Sequence, residues 1–133
     1  MSTLRVTNLA DTSGGNSATT EQIKSGIAKA WVNFNGTGTV AIRASFNVSS
    51  ITDNGTGKYS VNFTTALADA NYAVVAFCGT APGAGPVYAT AQSQGDEIVA
   101  TSSSFSFGTG VAHANGNAMI NYDPTYVLVS VFR

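Results

Sequence analysis

Residues 29–63 read KAWVNFNGTGTVAIRASFNVSSITDNGTGKYSVNF, and the fold class is decided there. From Ala30 the pattern has period two, with Val32 and Phe34 on one side and Trp31 and Asn33 on the other. Successive strand residues point to opposite faces of a sheet, so this alternation predicts half-buried strands. Phe46 and Val48, then Tyr59, Val61 and Phe63, alternate with Asn47, Ser49, Ser60 and Asn62. That spacing predicts an antiparallel hairpin with one buried face. Its loop, Asp53-Asn54-Gly55-Thr56-Gly57, carries the Asn-Gly pair that supplies the positive φ angles of tight hairpin turns. The same four letters, NGTG, stand at 35–38 and at 54–57, which predicts repeated hairpins rather than a long-period solenoid.

Working outward, further strands are expected at Tyr72–Cys78, Val87–Gln92, Ile98–Ser102, Ser104–Phe107, Met119–Tyr122 and Tyr126–Phe132. The run APGAGP at 81–86 is a loop, and Asp123-Pro124 marks a turn. The last run, YVLVSVF, is apolar on both faces except at Ser130, so it is expected to be covered on one side by the core and on the other by a further layer or subunit. Short strands with Gly-rich turns indicate a mainly β protein, an antiparallel β-sandwich. Residues 1–20 hold Leu4, Val6 and Leu9 and then a Gly/Ser/Asn/Thr stretch, the pattern of an extended arm. Thr19 and Gln22 have capping-box spacing, and Ile23, Ile27 and Ala30 recur on one helical face, predicting a short helix that Gly26 weakens. The division expected is an arm with a short helix over 1–28 and a β-sandwich domain over 29–133.

Six Lys+Arg and seven Asp+Glu make only 10% of the 133 residues charged, whereas Ser, Thr, Asn and Gly together make up 55 of them. With 44% hydrophobic residues and a net charge of −1, the chain is neither disordered nor a coiled coil. The same balance argues against nucleic-acid binding, which needs clustered Lys and Arg. So little net charge favours self-association. The single cysteine, Cys78, lies in the apolar run YAVVAFC and reads as a small buried hydrophobe. No apolar signal segment opens the sequence and its apolar runs are too short for a membrane span, so synthesis in a cytoplasm without membrane insertion is expected.

Residues suited to catalysis are few. The one histidine, His113, has no G-x-S-x-G motif to serve, and no His/Cys/Asp/Glu cluster has metal-ligand spacing, although three copies of His113 on a three-fold axis form one conceivable metal site. Asp96 and Glu97 are adjacent, and on a strand would point to opposite faces, so they do not make an acid/base pair. No enzymatic activity, no cofactor and no metal are expected. Binding is better supported: Gln92, Gln94, Phe105, Phe107, His113, Asn115 and Asn117 combine amides and aromatic rings, which suit the hydroxyl edges and apolar face of a sugar. The plainer reading of Phe105 and Phe107, two apart, is that they lie in the core of one strand.

Residues 29–76, through KAWVNFNGTGT, FNVSSITDNGTG and VNFTTALADANY, resemble the core of short tail-fibre or tail-associated proteins of bacteriophages. The opening TLRVTNLADTSGGNSATTEQI resembles the segment that precedes this core in those proteins. The likeness covers residues 3–76 and fades after Ala76 until the closing run Tyr126–Phe132. It implies a homotrimeric virion component that contacts other tail proteins through its arm, or a host-surface glycan, and it brings no catalytic residues. Receptor specificity would then lie in the stretch after Ala76. Ile23 and Ile27 on the helix, and Val127, Val129 and Val131 on the last strand, are the trimer surfaces so expected. The alternatives are a purely structural tail adaptor and, with little support, a polysaccharide-degrading enzyme.

Overall fold

The computed structural model describes residues 3, 5–79, 88–90, 99–111 and 120–133, with backbone alone at 88–90 and 111. β3 (Ala28–Asn35) and β4 (Ala41–Phe46) form the hairpin closed by the first NGTG, and β5 (Val48–Asp53) and β6 (Lys58–Phe63) the hairpin closed by the second. β7 (Ala73–Gly79), β8 (Tyr88–Thr90), β9 (Ser104–Val111), β10 (Ile120–Asn121) and β11 (Tyr126–Phe132) follow. Two antiparallel sheets result. One has the order β4-β3-β11-β7; the other has the order β10-β9-β6-β5, with β8 also on β9. The strand expected at Ile98–Ser102 reduces, in its described part, to one bridge between Ala100 and Phe105.

The sheets pack face to face as a β-sandwich, and period two decides what lies between them. Ala30, Val32 and Phe34 of β3 and Val127, Val129 and Val131 of β11 meet Val48, Tyr59, Val61, Phe63, Phe105 and Phe107 of the other sheet. Phe34 sets its ring edge on Tyr59, with centroids 5.2 Å apart, and Phe105 stacks on Phe107 at 5.7 Å. Such pairs add about 0.5–1.5 kcal/mol each beyond the area they bury. Cys78 is half-buried against this core, and desolvation pushes its thiol up to about 11, so it is not a thiolate at neutral pH.

The strand pattern expected to run from Phe46 into Val48 breaks between them. Asn47 takes φ 54°, the left-handed region that asparagine tolerates better than most residues. There the chain crosses from one sheet to the other, leaving Phe46 exposed and Val48 in the core. The Asn47 amide fixes the corner: Nδ2 donates to the carbonyls of Lys29 (3.0 Å) and Thr65 (3.1 Å), and Oδ1 accepts from the Thr65 N–H (2.8 Å). Asn47→Ala is therefore expected to lower stability by about 2 kcal/mol, combining lost hydrogen bonds with a left-handed alanine. A urea titration that leaves the midpoint unchanged would show that the corner does not depend on this side chain.

Ahead of the sandwich, β1 (Asn8–Ala10) and β2 (Ser17–Thr19) form a small hairpin that leads into α1 (Thr20–Gly26). The capping box is present: the Gln22 N–H donates to Thr19 Oγ1 and the Thr19 N–H to Gln22 Oε1. Ile27 lies beyond the helix with extended backbone, so it does not continue the helical stripe expected of it. The hairpin loop folds around Asp11, whose carboxylate accepts from the N–H groups of Ser13 and Gly15, the Ser13 hydroxyl and the Asn16 amide. These donors, led by the Ser13 hydroxyl, hold Asp11 at about 2, below the ordinary 3.8. A depressed folded-state value means the loop's contribution is present above 3.8 and lost as pH falls through about 2. The Gly15 amide resonance is thus expected to titrate with a midpoint near 2. A midpoint at 3.8 would mean the loop does not hold the carboxylate.

Candidate functional site

The two ends of the sandwich differ in what they carry. At one end both NGTG turns are stapled to the Asp123-Pro124 turn. The Gly36 N–H donates to the Pro124 carbonyl (2.9 Å), Thr37 Oγ1 to the Asp123 carbonyl (2.8 Å), and the Gly57 N–H to Asp123 Oδ1 (2.6 Å). Buried Tyr59 donates its hydroxyl to the same Oδ1 (2.8 Å), with the Gly36 carbonyl 3.2 Å away. Burial, then Asp123, raise the Tyr59 phenol well above its ordinary value and keep it a donor. Buried Thr109 completes the staple: its N–H donates to the Gly57 carbonyl (2.7 Å) and its hydroxyl to the Tyr122 carbonyl (2.6 Å). Asp123 thus holds two hairpins and the last strand in one rigid rim.

Gly79, Tyr88, Val111 and Ile120, the residues that bound 80–87 and 112–119, belong to this same rim. Gly79 pairs with Tyr126, Tyr88 with Gly110, and Ile120 with Val111. The opposite end holds the β4–β5 corner at Asn47, the start of β3 and the arm. Strands of seven residues set the two ends roughly 20 Å apart.

The outer face of the β5-β6-β9 sheet is a ladder of hydroxyls and amides. Ser60 Oγ lies 2.8 Å from Ser106 Oγ, Asn54 Nδ2 donates to Ser60 Oγ (2.8 Å), and Asn62 Nδ2 donates to Ser50 Oγ (3.0 Å) and Thr52 Oγ1 (2.9 Å). Cross-strand partners on one face explain the contacts, since Ser60 is paired with Ser106 and with Thr52.

Among the residues expected to bind, Gln92, Gln94, His113, Asn115 and Asn117 lie outside the described residues, as do Asp96 and Glu97. Phe105 and Phe107 do not belong to a binding surface in this chain. Each is 4% exposed, because even-numbered Ser104 and Ser106 take the outer face of β9 and the rings turn inward. The trimer surface expected on the last strand is likewise corrected. Val127, Val129 and Val131 are at most 1% exposed inside the sandwich, and it is Tyr126 and Leu128 that face outward. Ile23 and Ile27 are exposed on the arm.

Among the described residues no group of three His, Cys, Asp or Glu side chains is placed to hold a metal, and no helix is long and apolar enough to cross a membrane. An open hollow of ≈ 270 Å³ between the helix and the end of β11 is lined by Lys24, Lys29, Ala66, Leu67, Ala68 and Arg133. It does not make an anion site. Lys29 Nζ donates to the Lys24 carbonyl, and Arg133 is paired with Asp69, whose carboxylate it holds down to about 2.

The sequence pointed to an apolar outer face on the last strand but not to its extent over the β4-β3-β11-β7 sheet, where Trp31, Phe46, Val75, Phe77, Tyr126 and Leu128 are all exposed. The signal was the phase of each alternation, which sets Trp31 opposite the buried Val32 and Phe34. Phase within one strand does not reveal which strands lie side by side, so the extent of the patch is invisible before the topology is known. No family model, curated protein or solved structure matches this chain.

Proposed function

We propose that this chain is a homotrimeric component of a bacteriophage tail fibre. In this reading it attaches to other tail proteins through residues 1–28 and presents the opposite end of the sandwich to a host-surface glycan. The resemblance of residues 3–76 suggests the setting. The observation that carries the division of labour is the polarity of the fold: the arm leaves one end, and the residues bounding 80–87 and 112–119 lie at the other, on the rim built around Asp123. Binding residues carried on a rigid scaffold are a common way to present a binding surface.

A purely structural adaptor is favoured by one observation, the exposed Val6, Leu9, Ile23 and Ile27 of the arm, which suit a protein partner. Binding of the full-length chain to an array of bacterial surface polysaccharides separates the two. The receptor reading expects binding to one glycan class, reduced by Asn115→Ala and Asn117→Ala without a change in melting temperature. Absence of binding to every glycan and to intact cells, with the chain still incorporated into virions, would leave the adaptor.

A further inference from the structure

We propose that the outer face of the β4-β3-β11-β7 sheet is the surface on which copies of this chain meet. The inference rests on the self-association in the reading above and extends the outer face expected of the last strand across the whole sheet. Cross-strand register makes the patch continuous. Phe46 lies beside Trp31, Trp31 beside Ser130, and Ser130 beside Val75; in the next row Asn33, Leu128 and Phe77 stand in line. Phe77 is 65% exposed, Phe46 55% and Tyr126 49%. Four of the six exposed residues are aromatic, each side chain offering roughly 150–250 Å², and with Val75 and Leu128 the half-exposed set presents on the order of 500 Å² of apolar surface. That reaches the upper range for the largest patch on a monomer, about 300–600 Å². It also supplies most of the ~800 Å² per partner that a stable interface buries.

The chemistry of the face selects a second copy over a sugar. A sugar platform needs free donors and acceptors beside its rings. Here Arg43 is laid over the Tyr126 ring, 4.3 Å from its centroid, while donating to the Thr125 carbonyl (2.7 Å) and Asn33 Oδ1 (3.4 Å). Arg43 is thus engaged within its own face, and the apolar side chains around it are left for another copy of this chain to cover. Among the described residues, the other outer face, with its hydroxyl and amide ladder, shows no comparable apolar area. A net charge of −1 per chain opposes association only weakly.

Trp31 is the only tryptophan and lies on this face, so it reports the contact directly. The full-length chain is taken from about 1 µM to about 100 µM, a range that brackets a micromolar dissociation constant. Mass is followed by light scattering, and Trp31 exposure by acrylamide quenching. The expected result is a mass that is a multiple of 13.6 kDa, with Trp31 shielded as the oligomer forms. Phe77→Asp, and independently Leu128→Lys, should weaken association at least about 100-fold, as loss of a central apolar anchor does. Both should leave Trp31 quenchable, while Thr52→Asp on the other sheet should leave association intact. An oligomer whose Trp31 remains fully quenchable and which neither variant dissociates would overturn this face while sparing self-association. A monomer throughout the range would overturn both, and a monomer whose Trp31 emission shifts with added glycan would make the face a sugar platform instead.

Discussion

Gly57→Ala is expected to lower stability by about 4 kcal/mol or more, a large share of the roughly 5–15 kcal/mol that holds a domain folded. Gly57 has φ +68°, and a Cβ there would stand 2.4 Å from the Thr109 carbonyl oxygen and 2.8 Å from the Tyr122 nitrogen. Both are backbone atoms hydrogen-bonded to each other, and the Thr109 N–H is held by the Gly57 carbonyl, so the clash cannot be relieved by a rotamer change. Moving them breaks the rim around Asp123. Gly38, the last residue of the first NGTG, is the natural control. Its φ is +67°, nearly the same, yet nothing lies within 4 Å of its Cβ position. Gly38→Ala should cost only the left-handed backbone strain, about 1–2 kcal/mol. Urea unfolding of the two variants measures the difference, which is the energy of the close approach. Equal losses in the two would mean that the rim yields freely.

Phe107→Ala is expected to lower stability by about 3–5 kcal/mol, the range for removing a buried aromatic ring. The ring touches three others: it stacks on Phe105, lies 6.0 Å from Tyr59 and sets an edge 6.5 Å from Phe34. A cavity at that point loosens both sheets at once. Phe77→Ala, on the exposed face, should change the stability of the single chain by less than about 1 kcal/mol. A thermal melt at a concentration that keeps the chain dissociated separates the two variants. If Phe107→Ala melted like the wild type, the ring would not be a core residue, and its place on a binding surface would be open again.

These variants also show how far the sequence could be read. The alternation of Val32, Phe34, Tyr59, Val61 and Phe63 announced which faces are buried, and every one of these residues is in the core. Thr19 and Gln22 announced the helix start. Asn47 was misread because a single left-handed residue shifts the phase of an alternation without interrupting its letters. Phe105 and Phe107 supported two readings because an aromatic pair at period two is equally consistent with either face, and only pairing with β6 sets which one turns inward. For Gln92, Gln94, His113, Asn115 and Asn117, which lie outside the described residues, the sequence supplied the chemistry alone.

Local physics therefore decided much of this protein in advance. Side-chain period, Asn-Gly turns and the capping box act over a few residues, and they determined strands, hairpins, the helix start and the mainly β class. Only the tertiary structure decided what depends on residues distant in the chain. It brought Gly36, Gly57, Thr109 and Asp123 into one rim, and it set the last strand between β3 and β7 so that its valines faced inward. In doing so it lined up Trp31, Phe46, Phe77 and Leu128 on one open face. Each strand carries its own two-sided pattern, but only strand order and register determine which outward residues become neighbours.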